Sequence, residues 1–194
     1  MIGTLAHPLN QAVYDPICQR VVAGYGILQP RIAEQIPEQG LNAYLRVCAT
    51  ECGLDPYTRT VSDVYQDLFG EGSFIGKGIY DLAVFERVLR GRWPENQVLS
   101  HDLLEGCYAR SGLVSDVALF EQSPDNYLAD VARRRRWVRG DWQLLPWLRR
   151  RVRTLGGSWE DNTLSALSRW KLLDNLRRSL TPLATLMLLV GDYC

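Results

Sequence analysis

SHDLLEGCYAR at residues 100–110 and ARRRRWVRGDWQ at residues 132–143 decide how this chain is read. In the first stretch Asp102 follows a polar pair and opens a run with helical spacing. In the second, consecutive arginines from Arg133 to Arg136 end on Trp137. LVSDVALFE at 113–121, between them, reads as a strand. A carboxylate, then a strand, then a guanidinium cluster suits group transfer from a phosphorylated donor. An attacking hydroxyl must lose its proton to a base, which a carboxylate can supply. A leaving diphosphate needs cations, and guanidinium groups bind phosphate oxygens in pairs. Trp137 offers a flat face for a sugar ring. Each part also has a plainer reading: Asp102 as a helix cap, and the arginines as a solvated basic turn. Their combination favours the chemical reading.

The flanking sequence supplies alternating helices and strands, which points to the α/β class. GYGILQPRIA at 24–33 reads as a strand, residues 33–52 as helical, and VSDVYQDLF at 61–69 as a helix. SFIGKGIYD at 73–81 is a short strand and turn punctuated by Gly76 and Gly78. Small residues there let backbone approach a sugar, and Lys77 adds a cation; the plainer reading is a strand-to-helix turn. DLAVFERVLRG at 81–91 is a helix, with Asp81 as N-cap and Gly91 after the last turn. HDLLEGCYARSG at 101–112 is a helix ended by Gly112. Residues 123–152 read as one helix begun by Ser123-Pro124 and kinked or ended at Pro146. TLGGSWEDN at 154–162 reads as a loop. Residues 163–180 form an amphipathic helix, with Leu164, Leu167, Trp170, Leu173 and Leu180 on one face and basic residues opposite. Leu180 to Val190 is mostly apolar, but only about half the length that spans a bilayer.

At 194 residues, 46% apolar and 23% charged, the chain can bury one sizeable core and does not have a disordered composition. MIGTLAHPLNQ has no basic n-region or long apolar core, so it does not read as a signal peptide. The net charge of zero conceals a segregation. Residues 1–132 hold 9 Lys and Arg against 17 Asp and Glu, and residues 133–194 hold 13 against 5. The basic C-terminal part suits phosphates or acidic lipid head groups. Nucleic acid is the weakest partner, because an Arg run without aromatics interleaved on a sheet is a poor signature for it. The five cysteines include no C-x-x-C pair, and Cys48 and Cys52, one helical turn apart, lack further ligands. They read as free thiols of a reducing compartment. His7 and His101, the only histidines, have no Cys or Asp cluster around them, so no metal site is expected here.

HPLNQAVYDP (7–16), GYGILQPRI (24–32), DPYTRTVSDVYQDLFGEGSFIGKGIYD (55–81), ENQVLSHDLLEGCYARSGLVSDV (95–117), RRRRWVRGDWQ (133–143) and NTLSALSRWKLLDNLRRSL (162–180) together carry a resemblance. They resemble the glycosyltransferase domain of bacterial cyclic β-1,2-glucan synthases, over nearly the whole chain. The resemblance implies a helix-rich, partial α/β domain of the GT-A type over residues 1–162. Residues 163–194 would be an amphipathic interface helix and the start of a membrane segment. The implied activity is processive, inverting glucosyl transfer from UDP-glucose to a growing β-1,2-glucan, at the cytoplasmic side of a bacterial inner membrane. Asp102 would be the base of a "T-E-D"-like motif, with Glu105 as the competing candidate. Arg134 and Arg136 would hold the UDP pyrophosphate, Trp137 would stack on the acceptor glucose, and Gly76, Lys77 and Gly78 would lie along the acceptor path. Mg²⁺ or Mn²⁺ would be required, held by a D-x-D expected upstream of His7, where this chain has none. Arg133 stands where the general motif has Gln. The expected partners are membrane lipid and the remaining domains of a larger synthase, and this segment by itself is expected to be inactive. The competing class is a non-catalytic membrane-surface or scaffold module.

Overall fold

A computed structural model describes residues 1–35, 43–48, 63–94, 96–122, 124 and 126–192. In chain order its elements are α1 (Ile2–Ala6), β1 (Val13–Asp15), β2 (Arg20–Ala23), β3 (Ile27–Gln35), α2 (Ala43–Cys48), α3 (Val64–Phe69) and β4 (Ile79–Tyr80). There follow α4 (Leu82–Leu89), α5 (Asp102–Ala109), β5 (Ser111–Gln122), α6 (Tyr127–Gln143), β6 (Arg151–Arg153), β7 (Trp159–Asp161) and α7 (Ala166–Gly191).

The apolar run after Gly26 becomes the centre of the fold. Strand β3 pairs in parallel with β5 and antiparallel with β4, giving a three-stranded sheet in the order β4-β3-β5. Ile27 and Leu28 are buried, as expected for a strand covered on both faces. The register shifts between Pro30 and Arg31, where Val114 and Ala118 are the successive partners on β5. Pro30 has no N–H to give the ladder, so a bulge beside it costs little pairing. Helix α5 is buried from Leu103 to Ala109. Its Leu104, Cys107 and Tyr108 join Val21, Ile27, Val88, Trp147 and Leu172 in one core. Burial pushes the Cys107 thiol up to about 11 and the Tyr108 hydroxyl up to about 12. Cys18 and Cys107 are free thiols; Cys52 lies outside the described residues.

Several expectations are corrected. Residues 33–35 belong to β3, and the helix expected over 33–52 is described only as the six residues of α2. Helix α5 stops at Ala109, before Gly112. Arg110 takes φ 56° there, held by a hydrogen bond to the Gly70 carbonyl (2.8 Å), so that Ser111 can start β5 beside Ile27. Helix α6 is started by Asn126, whose Oδ1 accepts from Ala129 N (2.9 Å), not by Ser123-Pro124. It ends at Gln143, and Pro146 sits in a short 3₁₀ turn over Leu145–Leu148. Residues 151–153 are therefore not helical, and residues 154–162 are not simply a loop. Arg151-Val152-Arg153 alternates exposed, buried, exposed and pairs with Trp159–Asp161 as a hairpin. Pairing with a neighbouring strand, not the arginine content, decides that segment.

Helix α7 starts at a Ser165 cap and runs 26 residues through Pro182. Its buried face is Ser168, Lys171, Leu172, Asp174 and Leu176. The apolar face expected over 163–180 is largely outside: Trp170 is 56% exposed, and Leu173 and Leu180 are about half exposed. Beyond it Leu183, Leu186, Met187, Leu188, Leu189 and Val190 are all exposed. Among the described residues, no helix is long and apolar enough to cross a membrane.

Candidate active site

The site begins with the backbone that carries the Gly-Lys-Gly turn. Asp63 caps α3 through one carboxylate oxygen and accepts from Ser73 N (3.0 Å) with the other. Gln29 on β3 is 1% exposed. Its amide donates to the Ser73 carbonyl (2.6 Å) and accepts from Ile75 N (3.0 Å), so a side chain continues the strand pairing onto the loop. Ser111 Oγ donates to the Gly72 carbonyl (2.9 Å). The loop so fixed delivers Gly76 at φ +87° against Asp102: a Cβ there would stand 2.8 Å from one carboxylate oxygen and 3.0 Å from the other. Only a glycine fits both the angle and the approach.

Asp102 is the first residue of α5, and Ser100 Oγ donates to it at 3.3 Å. Glu105, one turn on, lies beside it, with a carboxylate oxygen within 4.8 Å of one of Asp102. Its Oε1 lies 2.7 Å from His101 Nδ1, and His101 stacks on Trp93 with ring centres 5.9 Å apart. Burial pushes the Glu105 carboxyl above its ordinary range; His101 opposes this shift and the Asp102 charge adds to it.

Helix α6 forms the opposite wall. Gly140 packs on Ser100, where a Cβ would meet the serine Cβ at 2.7 Å, and Gln143 accepts from Leu99 N (2.9 Å). These contacts seat α6 across the segment that leads into Asp102. Between the two walls lies an open cleft of about 1140 Å³ lined by Lys77, Asp102, Arg134, Arg136, Trp137 and Asp141, among others. Lys77 pairs with Glu121 of β5, and its amine is held below its ordinary range by burial and by Arg133. Arg134 Nε donates to Asp130 (2.8 Å), which also accepts from Arg133 (3.1 Å) and the Tyr44 hydroxyl (2.7 Å). Burial opposes ionisation of Asp130, but these donors outweigh it and hold the carboxyl below its usual range. The Arg133 guanidinium lies over Trp137, 4.9 Å from the ring centre. Among the described residues Arg136 carries no ion pair.

The structure thus brings Asp102, Gly76, Lys77, Arg134, Arg136 and Trp137 to one cleft. Gly78 stands apart: a Cβ there would meet the Leu28 carbonyl at 2.4 Å, so its smallness serves the β3–β4 pairing. Sequence reasoning passed over Asp141, although its spacing from Trp137 puts both on one helix face. Burial raises the Asp141 carboxyl above its usual range, and Asn175 donates to it at 3.3 Å. His101, Asp102 and Glu105 bring ligand atoms within 4.8 Å of one another, a cluster that sequence spacing did not suggest. Of these Asp102 lines the cleft, and His101 and Glu105 lie beside it, 2.7 Å from each other.

No family model matches the chain. It is 49% identical over 187 residues to the cyclic beta-(1,2)-glucan synthase NdvB of Rhizobium meliloti (strain 1021), a match that covers 96% of this chain and 6% of that protein. Over that span the chain is similar to one segment of this cyclic β-(1,2)-glucan synthase and corresponds to about 6% of its length.

Proposed function

We propose that this segment forms the base and leaving-group side of an inverting, GT-A-type glucosyltransferase that builds β-1,2-glucan from UDP-glucose. One observation carries the reading: the Asp102 carboxylate shares a cleft with Arg136 and Trp137, contributed by a separate helix. The acceptor hydroxyl oxygen attacks the anomeric carbon and its proton passes to Asp102. The bond from that carbon to the UDP oxygen breaks, configuration inverts, and UDP leaves with the bonding electrons. Arg136, with Arg134 beside it, stabilises the charge that gathers on the diphosphate. Trp137 gives the acceptor glucose a face to stack on, and Gly76 and Lys77 border its approach to Asp102. A bound divalent cation, Mg²⁺ or Mn²⁺, would add charge neutralisation at the diphosphate, and no residue of the cleft is assigned to hold it.

Arg136→Ala is expected to weaken UDP binding by about tenfold or more, since a hydrogen bond to a charged group contributes roughly 1.5–3 kcal/mol. Arg134→Ala should cost less, because Asp130 already engages that guanidinium. Calorimetric titration of the full-length protein with UDP measures both. Equal UDP affinity in Arg136→Ala and wild type would remove the arginine from this role.

A membrane-bound location is supported by the exposed apolar end of α7, which continues from a turn holding Arg177 and Arg178. Vesicles containing anionic lipid should carry the protein upward in a density gradient. Glutamates at Leu186 and Leu189 together should leave it at the bottom. A wild-type protein that stays at the bottom would count against a lipid partner for this helix.

A further inference from the structure

Lys171 is 3% exposed, on the inner face of α7. A lysine this deep needs partners for its ammonium. Lys171 Nζ lies 3.1 Å from the Glu71 carboxylate, 2.9 Å from the Gly72 carbonyl and 3.4 Å from the Glu71 carbonyl, with the Tyr65 ring 5.2 Å away. Glu71 is itself buried and is shared with Arg110 (3.2 Å), whose other nitrogen holds the Gly70 carbonyl. Residues 70–72 are thus gripped by two cations, one from the end of α5 and one from α7. The next links are already described: Ser111 on Gly72, Gln29 on Ser73 and Ile75, then Gly76 against Asp102. A continuous run of tethered backbone joins Lys171 to the carboxylate.

From this chain of contacts we infer that Lys171 is a positioning residue. Through it, helix α7 sets where the 71–76 loop stands against Asp102, and so where the acceptor hydroxyl meets its base. The inference rests on the functional reading above. Filling space alone would not require a charge here, because a buried ion pair is often no more stable than apolar residues of similar volume. An ammonium binding two successive carbonyls fixes backbone position, which an apolar side chain cannot do.

The test uses the full-length synthase and measures UDP release against UDP-glucose concentration, with UDP affinity measured separately. Lys171→Met keeps length and removes the donors; Lys171→Arg keeps charge and donors. Lys171→Met should lower kcat by about tenfold to a hundredfold, the scale of a small misplacement at the reacting centre, with KM and UDP affinity within about threefold of wild type. Lys171→Arg should recover most of that rate. Glu71→Gln, which keeps the backbone acceptors, should show the same split to a smaller degree. Unchanged kcat in Lys171→Met overturns the inference. So does a matching loss of rate and UDP affinity in both Lys171→Met and Glu71→Gln, which would mark a general defect of the fold. A wild-type protein that releases no UDP would instead refute the functional reading itself.

Discussion

Asp102→Asn is expected to lower glucosyl transfer by at least about a hundredfold, the lower bound for losing a positioned general base. Asparagine keeps the shape of the side chain and can still accept from Ser100 Oγ, and the contact with Gly76 remains. Only the proton acceptor is lost. UDP-glucose affinity should stay within a few fold, because Arg136 and Trp137 reach the cleft from α6, independently of Asp102. Steady-state UDP release gives kcat, and titration with UDP gives affinity. Glu105→Gln is the control: it disturbs the His101 pair and leaves the cleft wall intact. Near-normal transfer in Asp102→Asn, together with its loss in Glu105→Gln, would move the base to Glu105.

Gly76→Ala should act on the same carboxylate without changing it. A side chain at φ +87° is strained by about 1–3 kcal/mol. Its Cβ would also press on Asp102 at 2.8–3.0 Å. Either the loop withdraws or the carboxylate turns, and a shift of that size costs roughly a hundredfold in rate. Gly78→Ala provides the comparison. Its Cβ meets the Leu28 carbonyl, so it should lower the unfolding midpoint through the β3–β4 pairing. At a temperature where both variants are folded, Gly76→Ala should be the slower enzyme and Gly78→Ala the less stable protein. Wild-type turnover in Gly76→Ala would show that the loop does not bear on Asp102 during the reaction.

Local signals made part of this legible. The apolar run after Gly26 reads as a strand and is β3. Asp81 reads as a cap and accepts from Val84 N at 3.1 Å. Asp102, Arg136 and Trp137 stand out through the family resemblance together with their residue type and order, and all three line one cleft. What stayed hidden depends on partners distant in sequence. Lys171 sits among basic residues on a helix, which reads as a solvated face until Glu71 and two carbonyls surround it. The stripe from Leu164 to Leu180 has helical spacing, but periodicity does not say which face the core takes. The β6–β7 hairpin has three-residue strands, too short for alternation to outweigh the arginine-rich pattern before it. Gly76 and Gly78 are indistinguishable in sequence and differ only in what stands opposite each backbone.

The grip of Lys171 on residues 71 and 72 also bears on when the site comes into being. Strand β3 leaves the ribosome long before its parallel partner β5, and the ammonium that fixes the loop emerges later still. Contacts this far apart in sequence carry a large loop-closure cost and form late. A nascent chain that ends within α6 would already hold Asp102 and Arg136, yet its Gly-Lys-Gly loop would lack one of its two cationic anchors. Assembly of the cleft is thus completed from the C-terminal side, by the helix whose far end is apolar and exposed.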